Sequence, residues 1–201
     1  NEAMRETWLE QLFEAIQNDD PPYLELLDER WSEVCATPQV ASRWADRLMD
    51  LVRQVHASRL RGQFAFTRAE SACYSALFAA GRHEDLIALI GSDPRPSWHD
   101  LLWAGRYKVA RGEIDEAIEF TANAVNPWTP MAGLARFAEG VLLQAGRRTE
   151  AYEKHALEAN RASTYLATYR LVSKKYPEID ADRLLTDLIA TTPGEEGKWF
   201  A

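Results

Sequence analysis

Apolar positions recur along the chain with the period of a helix, and nowhere with the sustained alternation of a strand. Residues 4–18 place Trp8, Leu9, Leu12, Phe13 and Ile16 on one face. Asp19-Asp20-Pro21-Pro22 ends that helix and opens the next, because proline suits a first turn and not an interior. Residues 22–36 line up Tyr23, Leu24, Leu27, Trp31, Val34 and Cys35. Thr37 and Pro38 read as N-cap and first residue of a longer helix running to about Leu60, with Ala41, Trp44, Ala45, Leu48, Val52 and Val55 inward. RGQFAF is a short connector. Thr67 then caps another helix, with Glu70 three residues on to complete a capping box.

Three later segments match one another: ALFAAGRHEDLIALI at 76–90, YKVARGEIDEAIEFT at 107–121 and LLQAGRRTEAYEKHA at 142–156. Each is a helix end, an A-G-R or A-R-G break, and a new helix start. Gly81, Gly112 and Gly146 recur at intervals of about one helix pair, as in helical arrays. A glycine there closes the first helix in the left-handed conformation. Ala117 and Ala151, each five residues past its glycine, are small enough for two antiparallel helices to approach closely. At 67–160 this text resembles the tetratricopeptide repeat, with Gly105 as the small residue inside a first helix. It departs from that family at Lys108 and Thr121, where the family's aromatics are one position away, at Tyr107 and Phe120. The resemblance implies a right-handed α-solenoid of antiparallel helix pairs. Residues 1–66 then form an N-terminal helical cap, 67–160 the hairpin repeats and 161–201 C-terminal helices, in a single all-α domain of eleven or twelve helices.

Pro177 ends one C-terminal helix, Asp180 caps the next, with Leu184, Leu185, Leu188 and Ile189 inward, and Thr192-Pro193 opens a last one. This stretch resembles uncharacterised bacterial helical-repeat proteins, which implies helical continuation and no known activity. GKWFA has no cap, so the helical text is expected to run on past Ala201.

Charge narrows the partners. The net charge is −8, and residues 1–60 hold 12 Asp/Glu against 6 Lys/Arg. An acidic chain repels phosphate backbones, which makes nucleic acid an unlikely partner. No apolar run reaches the ~20 residues of a membrane span, and the start lacks a signal-peptide layout. A cytoplasmic protein with no membrane partner is expected. Cys35 and Cys73 sit in apolar helical text and read as core thiols in a reducing compartment.

Motifs for catalysis are missing. His56, His83, His99 and His155 are scattered, and no HExxH, glycine-rich phosphate loop or G-x-S-x-G is present, so no catalytic residue, cofactor or metal is expected. Of seven tryptophans, Trp8, Trp31, Trp44 and Trp103 fall on apolar faces and read as core. Trp98 and Trp128 lie in proline-containing connectors, where they serve either as hydrophobic staples or as partner anchors. First helices of the repeats, about 67–80, 98–111 and 132–145, would line a concave face carrying Arg68, Ser75, His99, Arg106 and Arg136. Arginines there suit a carboxylate-bearing protein or peptide. Pairing with neighbouring Asp or Glu is the competing role for each. The sequence therefore predicts a non-enzymatic protein- or peptide-binding scaffold. The alternatives are a helical-repeat enzyme acting on nucleic acid and a regulatory domain of a larger chain.

Overall fold

Gly81, Gly112 and Gly146 do end helices in the left-handed region. A computed structural model of the chain describes residues 2–19, 24–124 and 129–191. In it these glycines have φ of 71°, 81° and 73°. The residue after each returns its N–H to a carbonyl five positions back: Arg82 to Leu77 at 2.9 Å, Glu113 to Lys108 at 3.0 Å and Arg147 to Leu142 at 2.9 Å. Each closes a helix whose carbonyls would otherwise lack donors. Gly62, φ 76°, makes the same closure through Gln63 to Ser58 at 3.1 Å.

Among the described residues there are twelve helices and no strand. They are α1 (Glu2–Gln17), α2 (Glu25–Glu29), α3 (Trp31–Cys35), α4 (Pro38–Leu60), α5 (Ala69–Ala79), α6 (His83–Gly91), α7 (Trp98–Ala110), α8 (Ile114–Asn123), α9 (Met131–Gln144), α10, α11 (Tyr165–Lys175) and α12 (Ala181–Thr191). Helix α10 begins at Arg148–Ala151, widens into a π-helical turn at Tyr152–Ala156 and resumes at Leu157–Ala159. Among the described residues no helix is long and apolar enough to cross a membrane.

The chain divides into two compact units, Asn1–Glu113 and Ile114–Ala201. In the first, α5 is the centre, packed against α2, α3, α4, α6 and α7. Its text, AESACYSALFA, is rich in small and apolar residues with Glu70 as its one charge, and such a helix gains its stability from being covered by its neighbours. Cys73, Tyr74, Ala76 and Leu77 are fully buried. Phe13, Trp31 and Trp44, from α1, α3 and α4, meet edge to face with ring centroids 4.9–5.7 Å apart. In the second unit α10 lies along α9, and α11 packs on α12. Tyr152, Ala156, Val172, Tyr176, Leu184 and Leu188 form its core.

Local signals held at several starts. Thr37 accepts from the Val40 N–H with Pro38 in the first turn, and Asp180 accepts from the Asp182 N–H at 3.1 Å. Cys35 and Cys73 are buried and free, and burial pushes both thiols up to about 12.

Two local expectations fail. Trp8 is 65% exposed. At about 100° per residue the α1 stripe centres on Ile16, leaving Leu9 near its middle and Trp8 at its rim. Thr67 and Glu70 form no capping box: α5 has no side-chain cap. Thr67 instead accepts from the Ala69 N–H at 3.2 Å, and the Glu70 carboxylate is drawn inward to Arg59 and His56.

Candidate binding surfaces

The cations expected on the first helices are distributed over both units. In the first unit, Arg68 precedes α5 and donates to the Asp19 carbonyl at 2.5 Å, with the Asp19 carboxylate 3.7 Å away. His99 Nδ1 lies 3.2 Å from Glu29 Oε1, and the Trp98 ring rests against the His99 ring at 3.9 Å between centroids. The Arg106 guanidinium lies over the Trp103 ring at 4.1 Å. The acid beside His99 and Arg106, Glu29, comes from α2. The hydrogen bond from His99, aided by the Arg106 charge, holds the Glu29 carboxyl below its usual range. Burial pushes neighbouring Asp28 up to about 6, against the opposing pull of the Glu29 N–H and Arg68. Burial also pulls Arg106 down from its usual value, opposed by Glu29.

Ser75 is not on an open face. It is buried and bonded to Ser32, accepting from the Ser32 N–H and donating to the Ser32 hydroxyl, both at 3.1 Å. Helices α2 and α3, five residues each, cover this side of α5. Arg136 is exposed on α9 in the second unit. Trp128 lies outside the described residues.

A second constellation of the first unit was not anticipated. Arg59, near the end of α4, donates through Nη1 to Glu70 Oε1 at 2.7 Å and to Asp93 Oδ2, and through Nη2 to Glu70 Oε2 at 2.9 Å. His56, one turn earlier, places Nε2 3.1 Å from Glu70 Oε1. The Ser92 hydroxyl lies 2.8 Å from His56 Nδ1 and 2.6 Å from the Leu89 carbonyl. His56, Glu70 and Asp93 are all buried, with ligand-type atoms within 4.8 Å of one another. Arg59 bridges the two carboxylates and supplies the positive charge a metal would bring. Its remaining nitrogen, Nε, donates to the Ala65 carbonyl at 3.0 Å.

That last bond fixes the connector RGQFAF. On either side of Ala65, Phe64 is 97% exposed and Phe66 67%, with Leu60 at 66% just before the turn. The apolar alternation could have marked Phe64 and Phe66. Their exposure follows from Gly62, which turns the chain out of α4, and from Arg59, six residues back, which holds the Ala65 carbonyl.

The second unit holds a cleft of about 760 Å³, lined among others by Tyr152, His155, Leu157, Arg161, Tyr165 and Arg183. Its wall is the π-helical turn of α10, a feature that often re-aims side chains at functional sites. The cations here are paired locally: Lys154 with Glu150 at 2.9 Å, Arg161 with Glu158 at 2.7 Å and Arg183 with Glu153 at 3.2 Å. Tyr152 donates to Asp187 at 2.6 Å. Burial, with Lys154 beside it, pulls His155 below its usual value. Elsewhere in this unit the buried Glu139 of α9 accepts from Tyr176 at 2.7 Å, Asn160 at 2.8 Å and Lys175 at 2.6 Å.

No protein-family model, curated protein or solved structure matches the chain.

Proposed function

We propose that this chain is a non-enzymatic, cytoplasmic protein-binding module, and that the turn from Leu60 to Phe66 is its contact surface. The observation that carries this reading is the pair Phe64 and Phe66, exposed on a segment whose backbone is tied through Arg59 to a buried ion network. Aromatic anchors supply most of the energy of protein interfaces, and a contact loop fixed beforehand spares the partner the cost of ordering it. Exposed phenyl rings on a mobile loop would lack the second property.

The disposition of the titratable groups supports a role without catalysis. His56, Glu70, Asp93 and Glu139 are saturated by partners that lock them in place. Both thiols are raised by burial, away from the thiolate form that attacks. The repeated A-G-R and A-R-G text resembles a tetratricopeptide array, and arrays of that kind work as binding scaffolds.

The test is a quantitative capture from the source lysate with the native chain and with Phe64→Ala/Phe66→Ala. Partners held by the native chain should drop at least tenfold in the double variant, since truncating one interface anchor costs about 2 kcal/mol or more. Melting should not move, because exposed positions contribute within about 0.5 kcal/mol. Equal recovery by both proteins would remove the aromatic turn from the interface.

A further inference from the structure

We propose that the outer edge of Arg106 is a recognition site for a carboxylate, and that Glu29 is its built-in competitor. The Arg106 guanidinium lies on the Trp103 indole at 4.1 Å. This stacking sets the plane of the fork and leaves its edge to other groups. The residue is half-buried, yet among the described residues its guanidinium makes no hydrogen bond. Its nitrogens keep contact with solvent, unlike the buried and unpartnered indole N–H groups of Trp31 and Trp44. The nearest acid to influence it, Glu29, is committed elsewhere, with Oε1 3.2 Å from His99 Nδ1, so Glu29 acts on Arg106 by charge alone. The result is an oriented, sheltered fork with N–H groups unspent.

A guanidinium fork matches a carboxylate or a phosphate by two parallel hydrogen bonds. The neighbours select between them. Glu29 and Asp28 stand on the same short helix beside the site, so a doubly charged phosphate meets more repulsion than a single carboxylate does. A carboxylate can come from an Asp or Glu side chain or from the C-terminus of a chain. Trp98, in tilted contact with His99, offers an apolar surface on the same helix as Arg106. This inference rests on the protein-binding reading only in assuming that the carboxylate belongs to a polypeptide.

The site can be read through the indole N–H resonance of Trp103, assigned with Trp103→Phe, in ¹⁵N-labelled full-length chain. Three probes are titrated: an acetylated, amidated Ala-Glu-Glu-Ala peptide, an acetylated tetra-alanine peptide with a free C-terminal carboxylate, and inorganic phosphate. A saturable shift with one of the peptides is expected, and the one that binds more tightly names the source. Arg106→Lys, which keeps the charge and loses the fork, should weaken binding by about tenfold to a hundredfold. Glu29→Gln, which removes the competitor without touching the stacked pair, should tighten it by about threefold to tenfold. If Arg106→Lys also lowers the melting temperature, the Glu29→Gln arm decides alone. The proposal is overturned by no Trp103 shift with either peptide at tens of millimolar, by a shift undiminished in Arg106→Lys, by weaker binding in Glu29→Gln, or by phosphate binding best. Phe64→Ala/Phe66→Ala should leave the shift intact, so failure at Arg106 and failure at the aromatic turn read out separately.

Discussion

Asp28 sits near the end of a five-residue helix, sheltered from water and beside a second acid, Glu29. Burial favours its neutral form and lifts the carboxyl from the usual 3.8 to about 6. Because the folded chain holds this proton more tightly than the unfolded chain, the group's stabilising share is complete below pH ~4 and is lost as pH rises through 6. Asp28→Asn keeps an acceptor for the Glu29 N–H and removes the charge. Melting curves across pH 4–7 should flatten, with a gain at pH 7 of about 1 kcal/mol after allowance for solvent, or roughly 2–4 °C. A lower melting temperature at pH 7 would mean that attraction to Arg68 outweighs burial. None of this was visible in the sequence, where Asp28 is one of a dozen acids at the front of the chain. Its burial depends on α2 folding over α5, and helical periodicity does not say which helix covers which.

At the scale of elements, two glycines in one helix–turn–helix make opposite demands. Gly140 lies inside α9 and Gly146 just past its end. A Cβ at either would meet nothing within 4 Å, so backbone conformation alone decides the outcome. Gly140→Ala should stabilise the fold by about 0.5–1 kcal/mol through helix propensity. Gly146→Ala forces a side chain to φ 73° and should destabilise by about 1–2 kcal/mol. Denaturant titration of both variants checks the pair, and a neutral Gly146→Ala would show that α9 can end without the left-handed residue. The A-G-R and A-R-G breaks made these turns legible, since the requirement is local and glycine is its signature. Gly62 closes α4 in the same way yet sits in R-G-Q, outside the repeated text. The Thr67–Glu70 pair shows the converse: the capping signal was present, but a buried guanidinium is a stronger attraction for a carboxylate than an exposed helix N–H.

Across the whole molecule, acid and base are unevenly distributed, and their roles differ with depth. Many of the exposed pairs, such as Arg30 with Glu33 or Arg53 with Asp50, contribute little. The Arg59 network differs because it joins α4, α5 and the α6–α7 connection out of water. Removing Arg59 leaves Glu70 and Asp93 buried without a countercharge, which costs about 3–5 kcal/mol. Arg59→Ala should therefore lower the urea midpoint and, by freeing the Ala65 carbonyl, raise amide exchange at Phe64 and Phe66. Unchanged exchange there would show that the turn holds its shape unaided. This network was the least legible part of the sequence. His56, Arg59, Glu70 and Asp93 span 38 positions, and only tertiary packing brings them together. The all-helical class was plain because periodicity repeats in every segment, whereas a site of four scattered residues has no period.

The two cysteines give the first unit a clock of its own. Both thiols lie in that unit, buried and shifted away from the reactive form, and the second unit has none. A thiol reagent therefore reacts only when the first unit opens, and at concentrations where reaction outpaces reclosing the rate of labelling is the rate of those openings. Opening confined to the second unit uncovers no thiol, because both cysteines lie in the first. The chain thus reports the breathing of one half of itself with no label introduced.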